Sequence, residues 1–223
     1  LPLQAARRPF AYKHTAPSRH PELWELPGTG KAFSFVSANV CLLPNGLAKN
    51  SNLGQMKQRL LSPFYEHIVY DVGTYGLNGC CTLKVLNSGL FLASRYPVLA
   101  AQYHCYPNGI REDALSAKGL LSVQVQLGGA QGQRIVGYLN CTHLHAPAGY
   151  STCYGAHAQI RFDQLTMGLS WVQLFQDAHA QQGDVVAFDV FCGDFNFDNC
   201  SSGGVWPEGE PMGIAEEERS LAG

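Results

Sequence analysis

Apolar residues fall along this chain mostly in short runs, with one longer stretch at helical spacing. Residues 33–41, Phe-Ser-Phe-Val-Ser-Ala-Asn-Val-Cys, alternate aromatic and small side chains and predict a buried strand ending at Pro44-Asn45-Gly46. The stretch 53–61 is long enough for two turns of helix before Pro63. Residues 65–72 predict another strand, followed by a glycine-rich loop, 73–79, that enters Cys80-Cys81. Asn87-Ser88-Gly89 reads as a turn into a short core strand with an exit at Pro97, and 120–126 and 134–144 read as further strands. In 160–180 the residues Phe162, Leu165, Leu169 and Val172 follow a helical period with Gly183 as the stop, so a helix is expected to pack there on a sheet. The run 185–191 predicts a last strand.

The flanks lack this patterning. Residues 1–30 carry five prolines among Arg7, Arg8, Tyr12, Lys13, Arg19 and Trp24, which predicts a connecting or surface-wrapping segment and excludes a continuous helix or strand. Its basic and aromatic residues suit either a membrane interface or a solvated linker. From Ser201 onward the chain is rich in Gly, Glu and Pro, includes Glu216-Glu217-Glu218, and is expected to be disordered. The resulting division is a connecting segment 1–32, a folded domain 33–202 and a tail 203–223.

Composition narrows the class. At 223 residues, 46% hydrophobic and 14% charged, the chain has the material for one large core. A formal charge of -2 with no lysine or arginine cluster gives no phosphate-tracking face, which argues against nucleic acid. No apolar run reaches membrane-spanning length. The chain starts at Leu1 and not Met, which predicts a preceding segment in the full protein, a place where a membrane anchor could lie. The eight cysteines lack CxxC or Cys/His zinc spacing and read mostly as buried free thiols. Of two glycosylation sequons, Asn140-Cys141-Thr142 falls in a predicted strand where no glycan fits, which favours a cytosol-facing location over the reading that includes Asn199-Cys200-Ser201.

The candidate chemistry gathers at strand ends. Gly193-Asp194-Phe195-Asn196 follows the last apolar run, and period-two geometry sends Asp194 and Asn196 to one side, toward a polyanionic substrate or a hard cation, with Phe195 and Phe197 behind. The alternative is a turn in which Gly193, Asp194 and Asn196 supply bend chemistry. Thr142-His143-Leu144-His145 puts histidines at a strand exit, either structural or donating to a phosphate. Asn39 suits a cation ligand or a turn. Asp113 and Lys118, five apart before a predicted strand, suit a salt bridge or a solvated loop when taken alone.

Taken in order, Ser37-Ala38-Asn39-Val40, Asn87-Ser88-Gly89, Ser94-Arg95-Tyr96-Pro97, Ala117-Lys118-Gly119, Thr142-His143-Leu144 and Gly193-Asp194-Phe195-Asn196 resemble the endonuclease/exonuclease/phosphatase superfamily. The runs Val40-Cys41-Leu42-Leu43-Pro44, Tyr103-His104-Cys105-Tyr106-Pro107-Asn108 and Cys141-Thr142-His143-Leu144-His145-Ala146-Pro147 are similar to the mammalian-type neutral sphingomyelinases, most of all the mitochondria-associated type. The resemblance covers 33–202, with 7–14 also similar to the family's region after its membrane segment.

The resemblance implies an α+β, four-layer αββα sandwich and Mg2+-dependent hydrolysis of sphingomyelin, in a membrane surface, to ceramide and phosphocholine. It implies Asn39 as a metal-side ligand, His143 on the phosphate, and Asp194 and Asn196 as catalytic groups orienting the water. Lys118 and Asp113, in an Asp-Ala-Leu-x-x-Lys-Gly pattern, and Asn87 are implied substrate-side residues. Also implied are an intracellular mitochondrial or endoplasmic-reticulum membrane location, contact with anionic lipids, and lipidation of Cys80 and Cys81 if their loop faces a bilayer. It leaves the oligomeric state open.

Two family features have no match in these residues. The metal-binding glutamate of a Leu-Gln-Glu-Val segment is missing, since only 42–64 join the first two predicted strands. The closing Ser-x-x-x-Asp-His segment with the general-base pair is missing too, and His104, His157 and His179 match neither its context nor its order. The expectation is a truncated sandwich lacking one internal strand-helix unit and the final strands, prone to aggregation or dependent on a partner, with little turnover alone. The alternatives are a non-catalytic lipid-binding or regulatory isoform, or another phosphodiesterase or phosphatase of the superfamily.

Overall fold

The computed structural model describes residues 9–15, 32–39, 61–73, 76–78, 82–130, 133–147 and 154–197. Of the expected helix at 53–61 all but Leu61 lies outside them, as do the Cys80-Cys81 pair, Asn199 and the tail.

Nine strands and one long helix are described. The larger sheet runs β6 (Val98–Cys105), β7 (Gly119–Ala130), β8 (Gln133–His143), β9 (Val185–Asp194), antiparallel through β8 and parallel between β8 and β9. A parallel pair needs a crossover, and α1 (Tyr154–His179) supplies it. A smaller sheet has the order β1 (Ala11–His14), β2 (His67–Tyr70), β5 (Leu92–Ser94), all antiparallel. The hairpin β3 (Gly76–Asn78) and β4 (Thr82–Lys84) stands beside them.

Alternation along β7 decides the layering. Leu121, Val123, Val125 and Leu127 join Ile135 of β8 and Val69, Val72 and Leu92 around the smaller sheet in one buried cluster. Ser122 and Gln124 face the other way, the side where Val136 and Tyr138 of β8 meet Phe175 of α1. Helix, large sheet and small sheet thus stack in that order. No second helical layer occurs among the described residues.

Several expectations change. The strand β6 was not anticipated, because Val98-Leu99-Ala100-Ala101-Gln102 carries little alternation and follows a proline. Residues 32–39 form no ladder, and Val36 is 91% exposed. Their aromatic alternation is used only in part: Phe33 and Phe35 meet Phe188 edge-on at 5.3 and 4.8 Å. β1 forms within the segment expected to connect, and it stays four residues long between Pro9 and Pro17.

The face of α1 differs most from expectation. Phe162 and Leu169 are exposed, whereas His157, Arg161, Gln164, Gly168, Val172 and Phe175 are buried at intervals of three or four. The inner stripe is polar in its first half, so the apolar pattern points about one residue, or roughly 100°, away from the true face. Gly168 lets the helix approach closely: a Cβ there would lie 3.0 Å from the Tyr106 hydroxyl. The expected stop is confirmed, with Gly183 at φ 87 just beyond the helix.

The described thiols Cys105, Cys141 and Cys192 are free and half-buried. Asn140 is fully buried and donates to Asp189 Oδ1 at 3.0 Å, so the first sequon is sealed in the sheet.

Candidate functional site

The parallel register places His143 opposite Asp194 at the last rung of β8 and β9. His143 Nε2 stands 3.8 Å from Asp194 Oδ2, and both side chains are about one-third exposed, at 28% and 30%. Asn39 reaches in from the 32–39 segment and donates from Nδ2 to the same Oδ2 at 2.7 Å. Three residues far apart in sequence therefore meet at one carboxylate.

Asp194 and Asn196 do not share a side through strand alternation. β9 ends at Asp194, and Asn196 adopts a left-handed backbone with φ 53. Its main-chain N–H donates to Asp194 Oδ1 at 3.0 Å, the bend chemistry of an Asx turn that the turn reading of this stretch expects. The Asn196 side chain donates to Leu144 O at 2.9 Å. Behind them, Phe195 stacks on Phe191 at 5.4 Å, and Arg161 lies over the Phe197 ring at 5.5 Å.

Leu144 is a hub that sequence motifs could not reveal, because it acts through its main chain. Its N–H donates to Asp194 O at 2.9 Å, and its carbonyl accepts both Asn196 Nδ2 and Lys118 Nζ, the latter at 3.0 Å. Lys118 also pairs with Asp113 Oδ2 at 3.0 Å, with side chains only 11% and 15% exposed. Asp113 sits on a short 3-10 helix, Arg111–Ala114, and the same oxygen accepts Ala146 N at 2.7 Å.

His145 extends this network. Its Nδ1 lies 2.9 Å from Asp113 Oδ2 without hydrogen-bond alignment, and its Nε2 lies 2.8 Å from His157 Nδ1. His157 comes from the polar stripe of α1, as does Gln164, whose Oε1 accepts His145 N at 2.8 Å. The pattern Leu144-His145-Ala146 held the signal for His145, but only the helix register reveals its partner. Asn87 goes elsewhere: it donates to Asp71 Oδ1 at 2.9 Å and accepts Gly89 N at 2.8 Å.

Charge states follow from these contacts. Burial works against ionising Asp194, yet donation from Asn39 and Asn196 N–H, with His143 and Lys118 nearby, holds its proton affinity below the ordinary carboxylate range. Burial, reinforced by Lys118, lowers the His143 value against the pull of Asp194 and Asp113. The pair at neutral pH is therefore carboxylate and neutral imidazole. Two parallel rungs below, Cys141 and Cys192 approach to 3.8 Å. Donation from Cys141 pushes the Cys192 thiol down to about 6, aided by Ser37, while Cys141 is pushed up.

The donor set suits a hard cation in part. Mg2+ binds through one or two carboxylates with phosphate oxygens and waters completing the shell; Asp194 gives one carboxylate, while Asn39 turns its amide nitrogen to it and presents an oxygen there only with the amide flipped.

No family model matches the chain. Sphingomyelin phosphodiesterase 5 of Mus musculus is 38% identical over 275 aligned residues, covering 95% of this chain and 56% of the mouse protein. Sphingomyelin phosphodiesterase 3 of Rattus norvegicus is 52% identical over 148 residues, covering 64% of this chain and 22% of that protein. The chain thus spans about half the length of the mouse relative and less of the rat one. A crystal structure of beta toxin from Staphylococcus aureus aligns with a TM-score of 0.43 and 17% identity over 67% of this chain and 48% of that one. Across the part it shares with these relatives in sequence, the chain is similar to the sphingomyelin phosphodiesterases.

Proposed function

We propose that these residues form the phosphate-side half of a sphingomyelin phosphodiesterase site, cleaving the headgroup to leave ceramide and phosphocholine. The observation that carries this is the convergence of Asn39, His143 and Asp194 on one strand-end rung. Asp194, ionised, accepts a hydrogen from the attacking water and orients it. His143, neutral, offers a ring N–H to a phosphate oxygen. Asn196 positions Asp194 through its N–H and stays on Leu144 O through its side chain. Lys118 and Asp113 set the loop that meets the substrate. Mg2+, held by Asp194 and Asn39, would neutralise phosphodiester charge and make a bound water more acidic.

The site is a half because the metal glutamate and the general-base Asp-His pair have no counterpart in these 223 residues. The mouse alignment is consistent with an internal gap: 275 aligned positions against 223 residues leave at least 52 in the relative facing nothing here. The stacking of helix, large sheet and small sheet supports the αββα sandwich, with 33–202 as its incomplete domain to which β1 adds an edge strand from the preceding segment. Since the substrate resides in bilayers, the reading includes membrane association, at mitochondria or the endoplasmic reticulum, and contact with anionic lipids. Among the described residues no helix is long and apolar enough to cross a membrane.

The test is release of labelled phosphocholine from sphingomyelin vesicles with and without Mg2+. The expected result is Mg2+-dependent release about 100-fold or more below the mouse relative, lost in Asp194→Asn. Release matching the complete relative refutes the half-site. No release, with equal binding to vesicles with and without sphingomyelin, refutes the function itself.

A further inference from the structure

A second group of ligand-type side chains lies outside that site. β1 and β2 pair with His14 opposite His67, so both rings project from the same face of the small sheet, and Thr15 N donates to Glu66 O at 2.9 Å beside them. The rings stack in near-parallel planes, 9° apart, with centroids at 4.7 Å. The ligand atoms of His14, Glu66 and His67 all lie within 4.8 Å of one another.

We propose that His14, Glu66 and His67 form a binding site for a divalent transition metal of the zinc type, which clamps the edge strand β1 onto β2. Two imidazoles and a carboxylate are borderline-soft donors suited to Zn2+, whereas Mg2+ takes oxygen ligands. Zinc–ligand distances of about 2.0–2.2 Å in a tetrahedron separate two ligand atoms by roughly 3.4 Å. His67 Nε2 and Glu66 Oε2 stand 3.9 Å apart, too far for a hydrogen bond and close to that spacing, and the stacked, exposed His14 ring completes the set by turning its lone pair out of the stack toward the same point.

The outer partner is also in place. Tyr12, two residues before His14 on the same strand face, has its hydroxyl 2.6 Å from His67 Nδ1. With the proton on Nδ1, His67 donates to the phenolic oxygen and presents the Nε2 lone pair to the metal, the arrangement that fixes the tautomer of metal-bound histidines. His67 is 6% exposed and rigidly held, while His14 is exposed on the edge strand, which leaves an entry path and room for a water as fourth ligand.

The full chain, stripped with chelator, is dialysed against Zn2+ or Co2+ in the presence of excess Mg2+. Wild type is expected to retain one equivalent more than His14→Ala or Glu66→Gln, neither of which alters a fully buried side chain. Cysteines elsewhere are separated by the Co2+ spectrum: the equivalent lost in these variants carries nitrogen and oxygen ligation without thiolate charge transfer. Tyr12→Phe is expected to weaken that equivalent about 10- to 100-fold. Equal stoichiometry in wild type and both variants, thiolate-type absorption for the lost equivalent, or its displacement by Mg2+ overturns the proposal.

Discussion

Replacing Gly193 by alanine tests whether the His143–Asp194 pair depends on the close approach of β8 and β9. Gly193 has φ 141, a conformation that residues with a Cβ rarely adopt, and an added Cβ would sit 1.8 Å from Thr142 O on the neighbouring strand. The gap has to open to at least 3.0 Å, one rung below the site pair. Backbone strain of about 1–3 kcal/mol and packing loss of similar size together destabilise by roughly 2–6 kcal/mol, a large part of a typical domain's 5–15. Misplacing reacting groups by about 1 Å costs on the order of a hundredfold in rate. Urea unfolding measures the first effect. The NMR titration of His143 measures the second without any turnover, since withdrawal of Asp194 removes a group that raises its value, so its midpoint falls further. Gly155→Ala in the first turn of α1, where nothing lies within 4 Å of the new Cβ, serves as the control and is neutral or stabilising by up to about 1 kcal/mol. If Gly193→Ala unfolds at the wild-type midpoint with an unchanged His143 titration, the strand-approach reasoning is wrong.

Asp184→Asn removes one arm of a fork in which Arg134 Nε and Nη2 donate at 2.8 and 2.6 Å. Because Arg134 is 24% exposed and can rehydrate, the loss in urea melts is about 1–3 kcal/mol, and a loss below about 0.5 would contradict the pairing. His67, His104, His143 and His145 all have folded-state values lowered, by burial first, so between those values and the ordinary 6.5 the unfolded chain binds more protons. Stability should therefore be complete above about pH 7 and fall as pH drops through 6.5, with Asp113, Asp184 and Asp194 adding a second loss below about pH 4; melts more stable at pH 5.5 than at 7.5 would reverse the sign. Iodoacetamide at pH 7 should modify Cys192 before Cys141, and Cys141→Ala should slow Cys192 by removing its donor; equal labelling in both proteins counts against the contact.

How much of this was legible in the sequence differs by residue. His143 and Asp194 were found because strand periodicity and a short motif mark the ends of β8 and β9, and parallel pairing then needs only register to join them. Asn39 was found through its motif, although the strand expected to carry it forms no ladder. Asn196 was placed by a rule that stops where the strand stops, and its left-handed backbone sends the amide to Leu144 instead. Asn87 followed the motif alone, and its side chain answers to Asp71.

The polar half of α1 explains both the misread helix face and the unseen network. His157 and Gln164 are buried because they hold His145, which faces the carboxylate that pairs with Lys118. A buried polar residue costs several kcal/mol unless it is partnered, so such a stripe persists only where another element brings complementary groups. That second element, Asp113 to Ala146, lies outside α1, and no period within the helix can encode it. The helix is therefore amphipathic in the ordinary sense at Val172 and Phe175, where it covers the sheet. At its first turns it serves instead as a polar support for the loop after β8. The chemistry of the site thus reaches into the fold through Leu144 and His145, which a motif marks but whose work, through a main-chain carbonyl and a partner on the helix, neither motif nor hydrophobic pattern reveals.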